Sequence, residues 1–253
     1  MAGAMDQAVC VRHWEWSETS QTVLLLTRAH GLVRALAKGS RRPGANYSGG
    51  LELLTMGQAG LIIKPSSELA LLTEWDLHET YPRLRSDLRA QQAGMYVADI
   101  VQRMTGERDA HPALFDALVE CLRALDAGAR ARPLAAFQWK LLDECGYRPV
   151  LDRDTRTGEE LKPAAWLGFA PELGGLVGGD DERAWRVRPG TVELLRSMAD
   201  DGTKLEGASE EDYERAGRLL AAYVRHLLGH TPPTLELVYP ELGPGRDGRA
   251  NKG

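Results

Sequence analysis

The chain is poor in cysteine. Its 253 residues hold three, Cys10, Cys121 and Cys145, and no CxxC spacing. So sparse and odd a set, among apolar or helical neighbours, argues against a disulfide framework and a thiolate metal site. It fits reduced thiols in a cytoplasmic protein. No run of about eighteen apolar residues occurs, so no helical membrane span and no membrane partner is expected. The opening MAGAMDQAVCV lacks a basic region followed by an apolar one, and secretion is not indicated.

Catalytic signatures are also missing. There is no nucleophile elbow and no GxxxxGK[ST] loop. His13, His30, His78, His111, His226 and His230 are scattered. Neighbours such as His78–Glu79 or Ser17–Glu18 cannot orient each other as an acid–base pair must. Gly39–Gly44 (GSRRPG) lacks the strand–loop–helix context of a phosphate loop, and Gly174–Gly179 (GGLVGG) sits among prolines. Asp180, Asp181 and Glu182 are consecutive, which suits a solvated turn better than a metal cage. These absences predict a protein that is not an enzyme and carries no metal or other cofactor.

One further absence is local. Between Arg28 and Gly50 there is no Asp or Glu, while Arg28, Arg34, Lys38, Arg41 and Arg42 all fall there. The whole chain has a formal net charge of −5, so a general nucleic-acid coat is excluded but one local basic face is not. Lys and Arg on a glycine-flanked loop make a groove for a polyanion backbone. Trp14 and Trp16, two apart near the first strand, either stack on bases or fill the end of the fold.

The pattern around this stretch is one of short strands. Ala8–Trp14, Gln21–Thr27, Leu32–Ala37, Leu51–Thr55, Gly60–Lys64 and Glu68–Glu74 predict a small antiparallel barrel over residues 1–80, whose closure removes exposed edges. Near Tyr81–Pro82 the period becomes helical, with Leu88, Gln92, Met95, Tyr96, Ile100 and Met104 three and four apart. Helices from His111–Pro112 to Gly128, from Pro133 to Gly146, over Thr191–Met198 and over Ser209–Leu228 follow. Ser209 with Asp212 forms an approximate capping box. Residues 81–146 and 189–235 thus predict a helical domain, an α+β arrangement overall. Residues 147–188 lose all periodicity and read as an irregular segment with at most one hairpin. Residues 236–253 read as a disordered tail.

Specific blocks carry a resemblance. Glu18–Thr19, Thr27–Gly31 and LAKGSRRP (Leu36–Pro43) are followed in order by Gly94–Met95–Tyr96 and HPALFDAL (His111–Leu118). FQWKLLDECGYRPVLD (Phe137–Asp152) and GFAPELGGLV (Gly168–Val177) come next. Together they resemble the bacterial RecO family of DNA repair proteins over most of the chain. The resemblance implies an OB-type barrel, a helical C-terminal domain and a non-catalytic role in recombination. Such proteins bind single- and double-stranded DNA and anneal complementary strands. With RecR, and in some cases RecF, they help load the RecA recombinase onto DNA coated by single-stranded DNA-binding protein. Carried over by motif, the DNA-contacting residues are Arg28, Arg34, Lys38, Arg41 and Arg42. Many members hold zinc through four cysteines, and the matching positions here are Asp154, Thr157, Gly178 and Asp181. None is a thiol, so the segment is expected to lack the metal, to be mobile across 153–182, and to rely on Trp166, Phe169 and Leu173 for packing. A protein-interaction adaptor, whose basic face takes an acidic partner segment, is the alternative. A nuclease is more distant, because Glu52, Glu68 and Glu74 do not cluster in the sequence.

Overall fold

Gln21–Thr27 is buried at all seven positions, more than a strand with one wet face allows. In the computed structural model, which describes residues 4–47, 51–178, 182–199 and 207–243, it is the second strand of a closed five-stranded barrel. The strands are β1 (Ala4–Glu15), β2 (Gln21–Thr27), β3 (Gly31–Ala37), β4 (Met56–Ile62) and β5 (Ala70–Glu79). Their order around the barrel is β1-β2-β3-β5-β4, closed by β1 against β4. Four pairings are antiparallel; the β3–β5 pair is parallel, which corrects the all-antiparallel expectation. Leu51–Thr55 is not a strand: it runs into β4 through turns, with Leu54 N–H donating to the Cys10 carbonyl.

The barrel interior is small and apolar. Cys10, Val23, Leu25, Val33, Ala35, Leu61 and Leu72 line it, and Trp75 on β5, only 1% exposed, is its large aromatic. Gly57 lets that ring sit close to β4, since a Cβ there would lie 2.3 Å from the Asp76 carbonyl and 2.9 Å from the indole. Burial raises the Cys10 thiol to about 12 and raises that of Cys121 as well, so both stay protonated and inert near neutrality.

Helices α1 (Arg83–Ser86), α2 (Leu88–Met104) and α3 (Pro112–Asp126) complete the first compact unit, residues 1–128. The helical period is present as expected, but Leu88 is 67% exposed and α2 buries Ala93, Tyr96, Val97, Ile100 and Val101 instead. Gln102 of α2 donates to the Val11 carbonyl, and α3 touches β2. The unit boundary at Gly128 therefore falls later than the change of hydropathy period near Tyr81.

The second unit, residues 129–253, holds α4 (Ala131–Glu144), α5 (Pro189–Ala199), α6 (Glu210–Leu228) and α7 (Pro233–Val238). Where an irregular segment was expected, β6 (Leu167–Ala170), β7 (Gly175–Val177) and β8 (Trp185–Val187) form a three-stranded sheet ordered β7-β6-β8. Phe169 is buried and stacks on Trp185 at 5.8 Å, with Tyr223 edge-on at 5.3 Å. Trp166 and Leu173, expected to share this packing, are instead 41% and 39% exposed. The supposed tail is ordered in part: α7 continues into a 3-10 turn over Pro240–Leu242, and Tyr239 is buried against Gly217 and Gln138. Residues 244–253 lie outside the described residues.

The capping box of α6 forms as read. Ser209 Oγ accepts from Asp212 N–H at 3.3 Å, and Asp212 Oδ2 accepts from Ser209 N–H at 2.9 Å. The Ser209 hydroxyl and N–H, then Arg215, hold the Asp212 carboxyl down from 3.8 to about 2. A depressed carboxylate gives stability that is present above its unfolded pKa and lost as pH falls through the folded one. The expected result is an α6 helicity advantage over Asp212→Asn that persists near pH 4 and vanishes towards pH 2, read by circular dichroism.

Candidate nucleic-acid interface

A β-bulge arranges the outer face of the barrel. Cys10 and Arg12 have the same parity along β1 and would point the same way in a regular strand. The register shifts between them, so Cys10 stays in the core opposite Leu25, while Arg12 emerges outside opposite Leu24. Leu24 in turn faces Arg34 across β2–β3. Arg12, Leu24 and Arg34 therefore form one cross-strand row, and Trp14, Thr22 and Leu36 form a neighbouring row on the same face.

In these rows the guanidiniums of Arg12 and Arg34 lie over the Trp14 ring, at 4.9 and 5.7 Å from its centroid. Arg34 also pairs with Glu107 at 3.1 Å. Arg12, Trp14, Leu24, Arg34 and Gln102 are among the residues lining a cleft of about 230 Å³. Trp14 is half-buried and Trp16 is 63% exposed, so neither fills the barrel; that role belongs to Trp75.

The strand-end loop continues the face. Lys38 follows Arg34 and Leu36 at the outward spacing of β3 and is exposed. Gly39, at φ +70°, turns the chain, and its N–H donates to Ser20 Oγ at 3.0 Å. Arg41 N–H donates to the Thr19 carbonyl, and its side chain pairs with Glu15 at 2.9 Å. The β1–β2 turn bearing Trp16 and the loop bearing Lys38, Arg41 and Arg42 are thereby tied at one end of the barrel. Lys38, Arg42 and Arg12 have no ion-pair partner among the described residues.

Arg28 is elsewhere. It lies in the β2–β3 turn, and β3 separates it from Lys38 by about 20 Å of strand. Its Nε and Nη2 donate to the two carboxylate oxygens of Asp116 on α3 at 2.9 Å, which holds the Asp116 carboxyl below its ordinary range. The turn itself is held by Asp6, whose buried carboxylate accepts from Ala29 N–H and contacts His30 Nδ1 at 2.7 Å. Thus Arg34 lies on the outward side of β3, Lys38, Arg41 and Arg42 sit on the loop that follows it at one end of the barrel, and Arg28 lies at the other end. Sequence reasoning missed Arg12, because a bulge leaves no mark in the alternation.

The residues at the zinc-matching positions do not suit that metal. Asp154 spends its carboxylate on three backbone N–H groups, of Arg156 (2.8 Å), Thr157 (3.2 Å) and Gly178 (2.7 Å). Gly178 offers no side chain, and Asp181 lies outside the described residues. Among the described residues no group of three or more His, Cys, Asp or Glu is placed to hold a metal ion, nor is any helix long and apolar enough to cross a membrane.

A small closed barrel carrying an exposed Trp16, arginines over Trp14 and the unpaired Lys38 and Arg42 has chemistry suited to a polyanion. The family comparison agrees with that chemistry. The N-terminal model of recombination protein O matches residues 1–81 and its C-terminal model matches residues 85–236. The chain belongs to the RecO family of DNA repair proteins. It is 30% identical to DNA repair protein RecO of Roseiflexus sp. (strain RS-1), over 90% of this chain and 82% of that one. It is 31% identical to the RecO protein of Anaeromyxobacter dehalogenans (strain 2CP-1), over 95% and 98%. With RecO of Aromatoleum aromaticum it shares 31% over 94% and 95%. Membership gives it a general role in DNA repair and recombination, as a non-catalytic mediator.

Proposed function

We propose that the chain holds one DNA strand by its phosphates on the outer face of β1–β3, leaving the bases free to pair. The observation that carries this is the pair of arginines over Trp14, with Lys38 and Arg42 on the loop that follows β3. Annealing then needs no fuel: the protein lowers phosphate repulsion and raises local strand concentration, while base pairing supplies the free energy. The order β1-β2-β3-β5-β4, with β3 beside β5, supports an OB-type barrel. Family membership supports action in the cytoplasm with RecR, with RecF in some settings, and on DNA coated by single-stranded DNA-binding protein, where it assists RecA loading. Arg12, Arg34, Lys38, Arg41 and Arg42 carry the contact. Arg28 contributes less, because it lies at the opposite end of β3 from Lys38.

Gel shift and annealing of complementary oligonucleotides test this directly. Shift and accelerated annealing are expected, both weakening with salt. If the chain binds a polyglutamate peptide but shifts no bare oligonucleotide, the adaptor alternative holds instead.

We also propose that the 147–188 segment works without zinc, with the Asp154 carboxylate tying the 154–158 turn to Gly178 in place of a metal. Asp154→Ala is expected to speed proteolytic cutting between β6 and α4 while leaving barrel DNA binding intact. Purified protein carrying near-stoichiometric zinc by metal analysis would sink this part.

A further inference from the structure

A second arginine–tryptophan cluster lies in the other unit, on the small sheet. Trp166 is partly exposed just before β6, and the guanidiniums of Arg186 and Arg188 sit over its ring at 4.8 and 5.1 Å from the centroid. Arg186 is the outward residue of β8; its neighbours Trp185 and Val187 point inward. Neither arginine has an ion-pair partner among the described residues, and both are exposed. The platform beneath is fixed from its other face, where Phe169 and Trp185 stack and meet Tyr223 and His226 of α6 edge-on.

The face is closed over Gly168, and the room for an occupant lies beside Trp166. Gly168 sits between Val177 and Arg186 in the register, and a Cβ there would come within 3.0 Å of the Ala184 Cβ and 3.1 Å of the Val177 Cγ2. Beside Trp166 is a groove of about 370 Å³, lined in part by Leu161, Ala164 and Val177. Glu159 and Glu160 line it too. Those carboxylates oppose an acidic peptide, but an uncharged base tolerates them while its phosphate goes to the arginines.

We propose that this face is a second single-stranded DNA contact, with a base stacked at Trp166 and its phosphates on Arg186 and Arg188. The proposal rests on the reading of the barrel as a DNA grip and deepens it: one chain engages two segments of single strand. Annealing requires two strands, and a second contact raises the local concentration of the second. Stacking and charge at one base carry roughly 5- to 150-fold in affinity.

Photocrosslinking of the intact chain to an oligonucleotide bearing 5-iodouracil, with peptides mapped by mass spectrometry, tests it. Adducts are expected at Trp166 as well as on the barrel at Trp14 or Trp16. The Trp166 adduct is expected to fall at least about fivefold in Arg186→Gln/Arg188→Gln. Trp166→Ala should slow annealing about tenfold while barrel adducts persist. Adducts on the barrel alone overturn this second contact and leave the barrel grip standing. Adducts at Trp166 alone support the second contact, and the barrel's phosphate grip, which needs no base contact, is then judged by the Lys38/Arg41/Arg42 charge reversal. An unchanged Trp166 adduct in the double arginine variant overturns the assigned role of the arginines. Protection of Trp166 by a polyglutamate peptide, with no DNA adduct, assigns the face to a protein and overturns the proposal.

Discussion

Lys38→Glu/Arg41→Glu/Arg42→Glu is expected to abolish most of the salt-sensitive DNA binding. If each cation neutralises one phosphate of a single strand, three of them contribute a slope of roughly −2 in log K against log salt. That slope is worth about twentyfold in affinity between about 50 and 200 mM salt. The variant should lose both the affinity and that part of the slope, uniformly across sequences, because phosphate contacts do not discriminate bases. Its folding should be little changed. The three side chains are exposed, and only Arg41 holds a carboxylate, in a pair with Glu15 of the kind that contributes little to stability. Arg28→Gln makes the contrast. It lies at the opposite end of β3 from Lys38, so its effect on affinity should be several-fold smaller than that of the triple change. Equal losses in the two variants, read by fluorescence anisotropy across a salt series, would contradict the assigned face.

What was legible in the sequence depended on how local its cause is. The Ser209–Asp212 box, the proline-led α3 and the Gly31 turn depend on neighbours within a few residues, and each stands where the residues put it. The block Lys38–Pro43 marked the basic loop for the same reason. Long-range causes left no such trace. The burial of β2 on both faces, the parallel closure of β3 on β5, and the choice of Trp75 over Trp14 as core aromatic are decided by partners far along the chain. The small sheet escaped notice because strands of three or four residues are too short to show a period. Trp166 read as core because tryptophan usually is; two arginines over its ring, separated from it by about twenty residues, place it at the surface instead.

Trp75→Ala should be the most damaging single change to the barrel, and it should also weaken the DNA grip. Removing a buried tryptophan costs about 3–5 kcal/mol in lost burial and cavity formation. For a unit of this size that lowers the melting temperature by roughly 10 °C or more. The link to function runs through the basic loop. Its C-terminal end is fastened to β5, where Trp75 N–H donates to the Asn46 carbonyl at 2.9 Å and Tyr47 forms an isolated bridge to Trp75. Tyr47 also donates its hydroxyl to the Leu72 carbonyl at 2.7 Å, and its ring packs on the same core. With the indole gone, the strand that anchors the loop loses its support, and Lys38, Arg41 and Arg42 lose their fixed spacing. Tyr47→Phe isolates the anchor from the core: it removes one hydrogen bond, costs about 1 kcal/mol, and leaves the barrel filled. The expected order of DNA affinity at a temperature where all three fold is wild type, then Tyr47→Phe, then Trp75→Ala. If Trp75→Ala binds as tightly as wild type below its melting point, the loop holds its shape without the core, and its grip depends on charge alone.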